Sequence, residues 1–142
     1  MLYNEDCLNV LISLEDNTID MVYLDPPFFS QKIQTLRNSK GKQFEFSDVW
    51  DSRDAYLKYM RERLIELKRV LKKSGSIFLH CDSSASHYLK VLMDEVFGEN
   101  NFQNEIIWTY RRWSNSRKGL LPAHQTIFFS VSYTHLTLPT KA

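Results

Sequence analysis

Glycine is scarce and scattered in this 142-residue chain: its four glycines stand at positions 41, 75, 98 and 119, none near another. That spacing excludes a loop in which clustered glycines let the backbone approach a ligand. Cysteine is scarcer still, with only Cys7 and Cys81, which excludes a disulfide framework and fits a reducing, cytoplasmic setting. No apolar run approaches the ~20 residues of a membrane-spanning helix. No basic stretch precedes an apolar one at the N-terminus, so no secretory signal is read there. Net charge is nearly absent too: 18 basic residues against 17 acidic ones leave +1, which by itself points to no partner. What remains is a chain 43% hydrophobic and 25% charged, able to bury a core and suited to one domain.

The charges are unevenly placed. Residues 1–27 hold six acids (Glu5, Asp6, Glu15, Asp16, Asp20, Asp25) and no Lys or Arg; from Ile106 onward there are five bases (Arg111, Arg112, Arg117, Lys118, Lys141) and no acid. An acidic head and a basic tail within one domain suit two sides of one site, one of them facing an anion, although ordinary surface variation produces the same pattern.

Periodicity outlines the elements. Leu2-Tyr3 reads as the end of a strand, and Asn4 or Asp6 as the N-cap of a helix through Leu8, Leu11 and Ile12. Ile19 to Leu24 is a β-rich run that stops at Asp25-Pro26-Pro27. Residues 29–50 are polar and predict a long, mobile loop. Leu57, Met60, Leu64, Leu67 and Leu71 share one face of a helix over 54–73, with Ser74-Gly75 as its C-cap. A strand over 76–81 and a helix through Leu89, Leu92, Met93, Val96 and Phe97 follow, with N-caps offered by Ser83, Ser84 and Ser86. Two further strands are predicted over 105–110 and 126–129. The order βαβαβαββ predicts an α/β protein with a mainly parallel sheet.

Ligands of open α/β sheets bind at the carboxyl ends of strands, and three predicted strands end in a carboxylate: Asp6, Asp25 and Asp82. The tetrapeptide Asp25-Pro26-Pro27-Phe28 is the most informative. Each proline fixes its own φ and pushes the preceding residue toward extended geometry. The Asp25 carboxylate and the Pro26 carbonyl are thus stiffly held acceptors, with Phe28 as an aromatic platform beside them. Two acceptors and a stacking ring suit an exocyclic amino group on a flat heterocycle.

With these residues the chain resembles the amino-group DNA methyltransferases, which modify adenine N6 or cytosine N4. Their Asp/Asn/Ser-Pro-Pro-Tyr/Phe/Trp motif is matched by residues 25–28, their acidic turn by Asn4 to Leu8, and two later strands by residues 76–82 and 124–129. The resemblance covers about residues 2–130. It implies a Rossmann-like class I methyltransferase fold, a three-layer αβα sheet, with S-adenosyl-L-methionine as cofactor and double-stranded DNA as partner. It also implies methyl transfer to adenine N6 after base flipping, in a restriction-modification setting, without metal or membrane. Asp25, Pro26, Pro27 and Phe28 would form the catalytic motif, with Asp6, Asp25 and Asp82 at the cofactor; Asp6 and Asp82 read equally as helix caps. The basic, aromatic segment carrying Arg111, Arg112, Trp113, Arg117 and Lys118 would contact DNA; the plain alternative is an exposed loop with a few buried aromatics.

The order of motifs matches the permuted subgroup, in which the catalytic half comes first. That subgroup's Phe-x-Gly-x-Gly cofactor loop has no counterpart here, so the expected sheet is incomplete. Residues 1–130 are expected to be the catalytic half of a longer enzyme, inactive alone, and residues 131–142 a non-native tail. Asp in the motif's first position favours adenine over cytosine, where the family more often carries Ser. The alternatives are a cytosine-N4 enzyme, a methyltransferase of RNA or protein glutamine, and a non-catalytic DNA-binding remnant. His80-Cys81-Asp82 lacks the short ligand spacing of a zinc site, and His124 reads as structural.

Overall fold

The computed structural model describes residues 1–111 and 121–133. Its elements are helix α1 (Cys7–Ser13), strand β1 (Ile19–Leu24), strands β2 (Ile33–Arg37) and β3 (Gln43–Ser47), helix α2 (Arg53–Val70), strand β4 (Leu71–Cys81), helix α3 (Ser86–Phe97), and strands β5 (Phe102–Thr109) and β6 (His124–Val131). The main sheet has the order β1-β4-β6-β5. β1 pairs with β4 in parallel, whereas β6 runs antiparallel to both β4 and β5. β1, β4 and β5 therefore share one direction and β6 alone opposes them. The expected mainly parallel sheet holds for strand direction, but only one of its three pairings is parallel. The reason is local: no helix lies between β5 and β6 among the described residues, and strands joined without a crossover return antiparallel.

α2 and α3 cover one face of the sheet. Met60 and Leu64 of α2 and Leu89 and Met93 of α3 are fully buried against Ile77 and Leu79 of β4, with Phe128 of β6 joining them. Burying each such side chain is worth about 1.5–3 kcal/mol, so this single layer of contacts orders the sheet. Arg69, near the end of α2, donates to the carbonyls of Leu11 and Leu14 at 2.8 and 2.9 Å and ties α1 to the same assembly.

The other face carries apolar residues as well: Met21 and Tyr23 of β1, Phe78 of β4, Ile127 and Phe129 of β6, and Ile106 and Trp108 of β5. No described helix covers it, and Met21 remains 61% and Trp108 53% exposed. The described residues thus furnish two layers of an αβα arrangement.

Five local expectations change. Leu2-Tyr3 is exposed and forms no strand, with no strand beside it among the described residues. The region 29–50 is not a plain loop: β2 and β3 make an antiparallel hairpin. Its turn is closed by the Asn38 side chain, which accepts from the N–H groups of Lys40 and Lys42 at 3.0 and 2.9 Å, while Gly41 takes φ +76°. α3 has Ala85 at its N-cap rather than a serine, because Ser84 is drawn into a turn on Asp82. β6 continues through Val131, and the Ser132 N–H donates to the Gly75 carbonyl at 2.9 Å.

The fifth change concerns Gly75. α2 ends at Val70, where the N–H groups of Asn17 and Thr18 take the carbonyls of Arg69 and Val70 at 3.1 and 2.9 Å. Those loop donors satisfy the helix end, and Gly75 falls inside β4 instead of capping it. A β-carbon there would lie 2.9 Å from both the Leu71 side chain and the Lys72 carbonyl, and 3.2 Å from the Asp20 carbonyl. Gly75→Ala is therefore expected to destabilise the chain by about 1–3 kcal/mol, the usual cost of overpacking; denaturant titration checks this, and an unchanged midpoint would refute the crowding.

Candidate active site

Strand direction builds the site. The carboxyl ends of β1, β4 and β5 and the start of β6 meet at one edge of the sheet, bringing Asp25, Asp82, Tyr110 and Gln125 to the same rim. Because Leu24 pairs with Leu79, the residue that follows each, Asp25 and His80, become neighbours. Asp25 Oδ1 lies 3.4 Å from His80 Nδ1, with the Asp25 side chain 60% exposed and the His80 side chain 9% exposed.

His80 is surrounded by the Asp25-to-Phe28 turn and by aromatic rings. Its Nδ1 lies 3.2 Å from the Tyr23 hydroxyl, and its Nε2 lies 2.6 Å from Gln125 Oε1. Trp108 stacks on the imidazole at 5.5 Å between centroids, and Phe28 meets it edge-on at 5.8 Å. Burial, and after it the negative charge of Asp25, holds the Tyr23 phenol above its ordinary pKa, so Tyr23 keeps its proton at neutral pH.

Two cavities open here and share Phe28 and Gln125. The larger, about 560 Å³, is lined by Asp25, Pro26, Pro27, Ser47 and Asp48 besides these two. Asp48 is buried: one carboxylate oxygen accepts from the Ser30 hydroxyl at 3.0 Å, and Oδ1 has no hydrogen-bond partner among the described residues. The smaller cavity, about 290 Å³, is lined by Phe28, Lys32, Asp82 to Ser84, Tyr110, Pro122 and His124, among others.

The expected site residues are only partly assembled. Asp25, Pro26, Pro27 and Phe28 stand together in the cleft, and Asp82 reaches the smaller cavity, although its Oδ1 accepts from the Ser84 N–H at 3.0 Å and from the Ser84 hydroxyl. Asp6 is engaged elsewhere. It caps α1 by accepting from the Leu8 N–H at 2.9 Å, and both its oxygens take the Arg63 guanidinium at 2.6 and 2.8 Å. The Leu8 bond first, and Arg63 with it, holds the Asp6 carboxyl below the usual range against an opposing contribution from burial. Arg111 is exposed just beyond Tyr110; Arg112, Trp113, Arg117 and Lys118 lie outside the described residues.

His80, Gln125, Tyr23 and Asp48 were not among the residues expected to form the site. Asp48 sits in the stretch read as loop, and His80 enters only through the register of β1 against β4. Trp108, near the end of β5, packs on His80 as well.

Comparisons with known proteins identify the family and the fold. A family model described as DNA methylase, covering the N6/N4 group, matches residues 19–137. The chain belongs to that family. The Mod subunit of the type III restriction-modification enzyme StyLTI from Salmonella typhimurium is 28% identical over 128 residues, 75% of this chain and 20% of that protein. The type II methyltransferase M.KpnI of Klebsiella pneumoniae is 30% identical over 120 residues, 83% of this chain and 28% of its own. M.EcaI of Enterobacter cloacae is 34% identical over 118 residues, 82% and 25% respectively. Among solved structures, a Thermus thermophilus protein described as a DNA modification methylase, complexed with S-adenosyl-L-methionine, superposes with a TM-score of 0.66 at 14% identity, covering 96% of this chain and 54% of that one. The cytosine-N4-specific PvuII DNA methyltransferase gives 0.63 at 16%, covering 92% and 48%. These two likenesses establish the fold. The chain spans 20–28% of the length of the three curated relatives.

Cys81 is buried in the core beside the site rather than lining either cavity, and burial first, then the charges of Asp82 and Glu105, push its thiol up to about 12. Cys7 is exposed. Iodoacetamide at pH 8 is expected to alkylate Cys7 and spare Cys81 in the folded chain, as read by peptide mass spectrometry. Equal labelling of both would show that the β4 end is not closed.

Proposed function

We propose that residues 1–130 supply the catalytic half of a longer S-adenosyl-L-methionine-dependent methyltransferase that modifies adenine N6 in double-stranded DNA. The observation that carries this reading is the rigid Asp25-Pro26-Pro27-Phe28 turn, set at the rim of two adjoining cavities with its carboxylate exposed. Family membership supports DNA methylation. The aspartate in first position supports adenine, and no functional residue is drawn from 131–142.

The larger cavity suits the cofactor. It presents two carboxylates, Asp25 and Asp48, and no Lys or Arg among its described lining residues, and Asp48 keeps a buried oxygen without a partner. That set fits the cationic end of S-adenosyl-L-methionine, whose sulfonium supplies an electrophilic methyl group. Asp48 is the residue that would hold that end, with Asp25 lining the same cavity beside it. Asp6 is committed to Arg63 and Asp82 Oδ1 to Ser84, and neither lines the larger cavity.

The smaller cavity, walled by Phe28, Tyr110 and His124, takes the target base. N6 is engaged in base pairing, so the nucleotide must leave the duplex to reach it. Phe28 stacks on the extruded ring. The Asp25 carboxylate and the Pro26 carbonyl accept the two amino hydrogens, which draws the nitrogen lone pair out of conjugation and aims it toward the larger cavity. Positioning and fixed acceptors supply the catalytic effect. Arg111, with Arg112, Trp113, Arg117 and Lys118, provides phosphate and stacking contacts along the strand.

The full-length protein from the source locus, given labelled S-adenosyl-L-methionine and duplex DNA, is expected to yield N6-methyladenine on nucleoside analysis. Asp25→Ala should lower the rate by about 10²-fold or more, the scale for losing one fixed electrostatic group. N4-methylcytosine as product would move the target to cytosine. DNA binding without methyl transfer, or full activity in Asp25→Ala, would sink the catalytic reading.

A further inference from the structure

We infer that His80 is a proton-dependent positioning residue for Asp25: neutral, it leaves the carboxylate open to the substrate amino group, and protonated, it takes that carboxylate for itself. The inference rests on the reading of Asp25 as the acceptor of amino hydrogens. It starts from directionality. Gln125 Oε1, 2.6 Å from Nε2, can only accept, so Nε2 carries a hydrogen. In the neutral ring Nδ1 then holds a lone pair, which accepts from the Tyr23 hydroxyl at 3.2 Å.

That lone pair also faces Asp25 Oδ1 at 3.4 Å. Two acceptors form no bond, and the carboxylate stays available. A proton added at Nδ1 reverses the relation. The new N–H has the Tyr23 oxygen and the Asp25 carboxylate within reach, and the charged pair is the stronger hydrogen bond. The ring has little freedom to escape the choice, since Trp108 stacks on it and Phe28 packs edge-on against it. Among the described residues, the titratable groups facing the imidazole are Tyr23 and Asp25, from β1 and the turn after it; Gln125 from β6 and Trp108 from β5 are neutral. Through Phe28 the same ring also steadies the stacking platform, so one side chain touches both working parts of the motif.

The test uses the 142-residue chain itself, labelled with ¹³C and ¹⁵N and followed by NMR through a pH titration. Neutral His80 is expected to be the Nε2–H tautomer. The Asp25 carboxyl carbon should show two steps, its own and a second one coincident with titration of the His80 ring. His80→Phe should abolish the second step and keep the first, an effect that a purely structural role would not produce. A single Asp25 step in the unmodified chain, or a neutral Nδ1–H tautomer, would overturn the inference. If His80→Phe does not fold, Gln125→Leu tests the other end: removing the Nε2 partner should leave a mixture of tautomers, and an unchanged tautomer counts against the mechanism. These signals need neither methyl donor nor DNA. A missing coupling would therefore sink the His80 role alone, whereas a coupled pair in a full-length protein without methyl transfer would sink the function alone.

Discussion

The parallel pairing of β1 with β4 is the constraint on which the site depends. It puts Leu24 opposite Leu79, and thereby sets Asp25 against His80. A slip of one residue would turn each strand's side chains to the opposite face, burying Tyr23 and exposing Val22. The register is held because Val22 and Leu24 pack against the helical core along with Ile77 and Leu79. Close backbone approach at Gly75 lets the lower ends of the two strands meet across their irregular pairing. Hydrophobic burial on one face thus positions polar chemistry at the strand ends.

The two faces of the sheet are treated differently. One is sealed by α2 and α3. The other exposes an aromatic and aliphatic surface in which Phe78 and Phe129 stack 4.6 Å apart and Trp108 lies over His80. A surface of that kind on a globular domain marks contact with further protein or ligand. The chain spans 54% of the Thermus thermophilus structure and 48% of PvuII, so the folds it resembles contain much more polypeptide than is present here.

Charge in the site is arranged around acceptors. Asp25, Asp48 and Asp82 line the two cavities, with Lys32 beside Asp82 in the lining of the smaller one, whereas the buried cation Arg63 is spent on Asp6, at the junction of α1 and α2. Arg69 is likewise occupied, by Asp16, Glu66 and two carbonyls of α1. The acidic head of the chain is therefore divided between holding helices and lining the site. The two roles separate by partner: Asp6 and Asp16 face arginines, whereas Asp25 faces a histidine.

Most elements and the motif are legible in the residues alone. The stripe through Leu57, Met60, Leu64 and Leu67 dictates α2, because helical periodicity is local, and Asp25-Pro26-Pro27-Phe28 states its own geometry, because proline restricts its own and the preceding residue. The hairpin of β2 and β3 carries a signal too, in Asn38 and Gly41 flanking a short turn, but the polar composition of the region conceals it. The remainder comes from the folded arrangement. Asp6 and Asp25 look alike in sequence, each a carboxylate at an expected strand end, and Arg63, 57 residues from Asp6, separates a helix cap from a site residue. His80, Gln125 and Asp48 come from three distant stretches and acquire a role only when strand order brings them to one rim. Periodicity and turn chemistry act between near neighbours along the chain, whereas a site is made by register and packing between residues far apart, which no local pattern encodes.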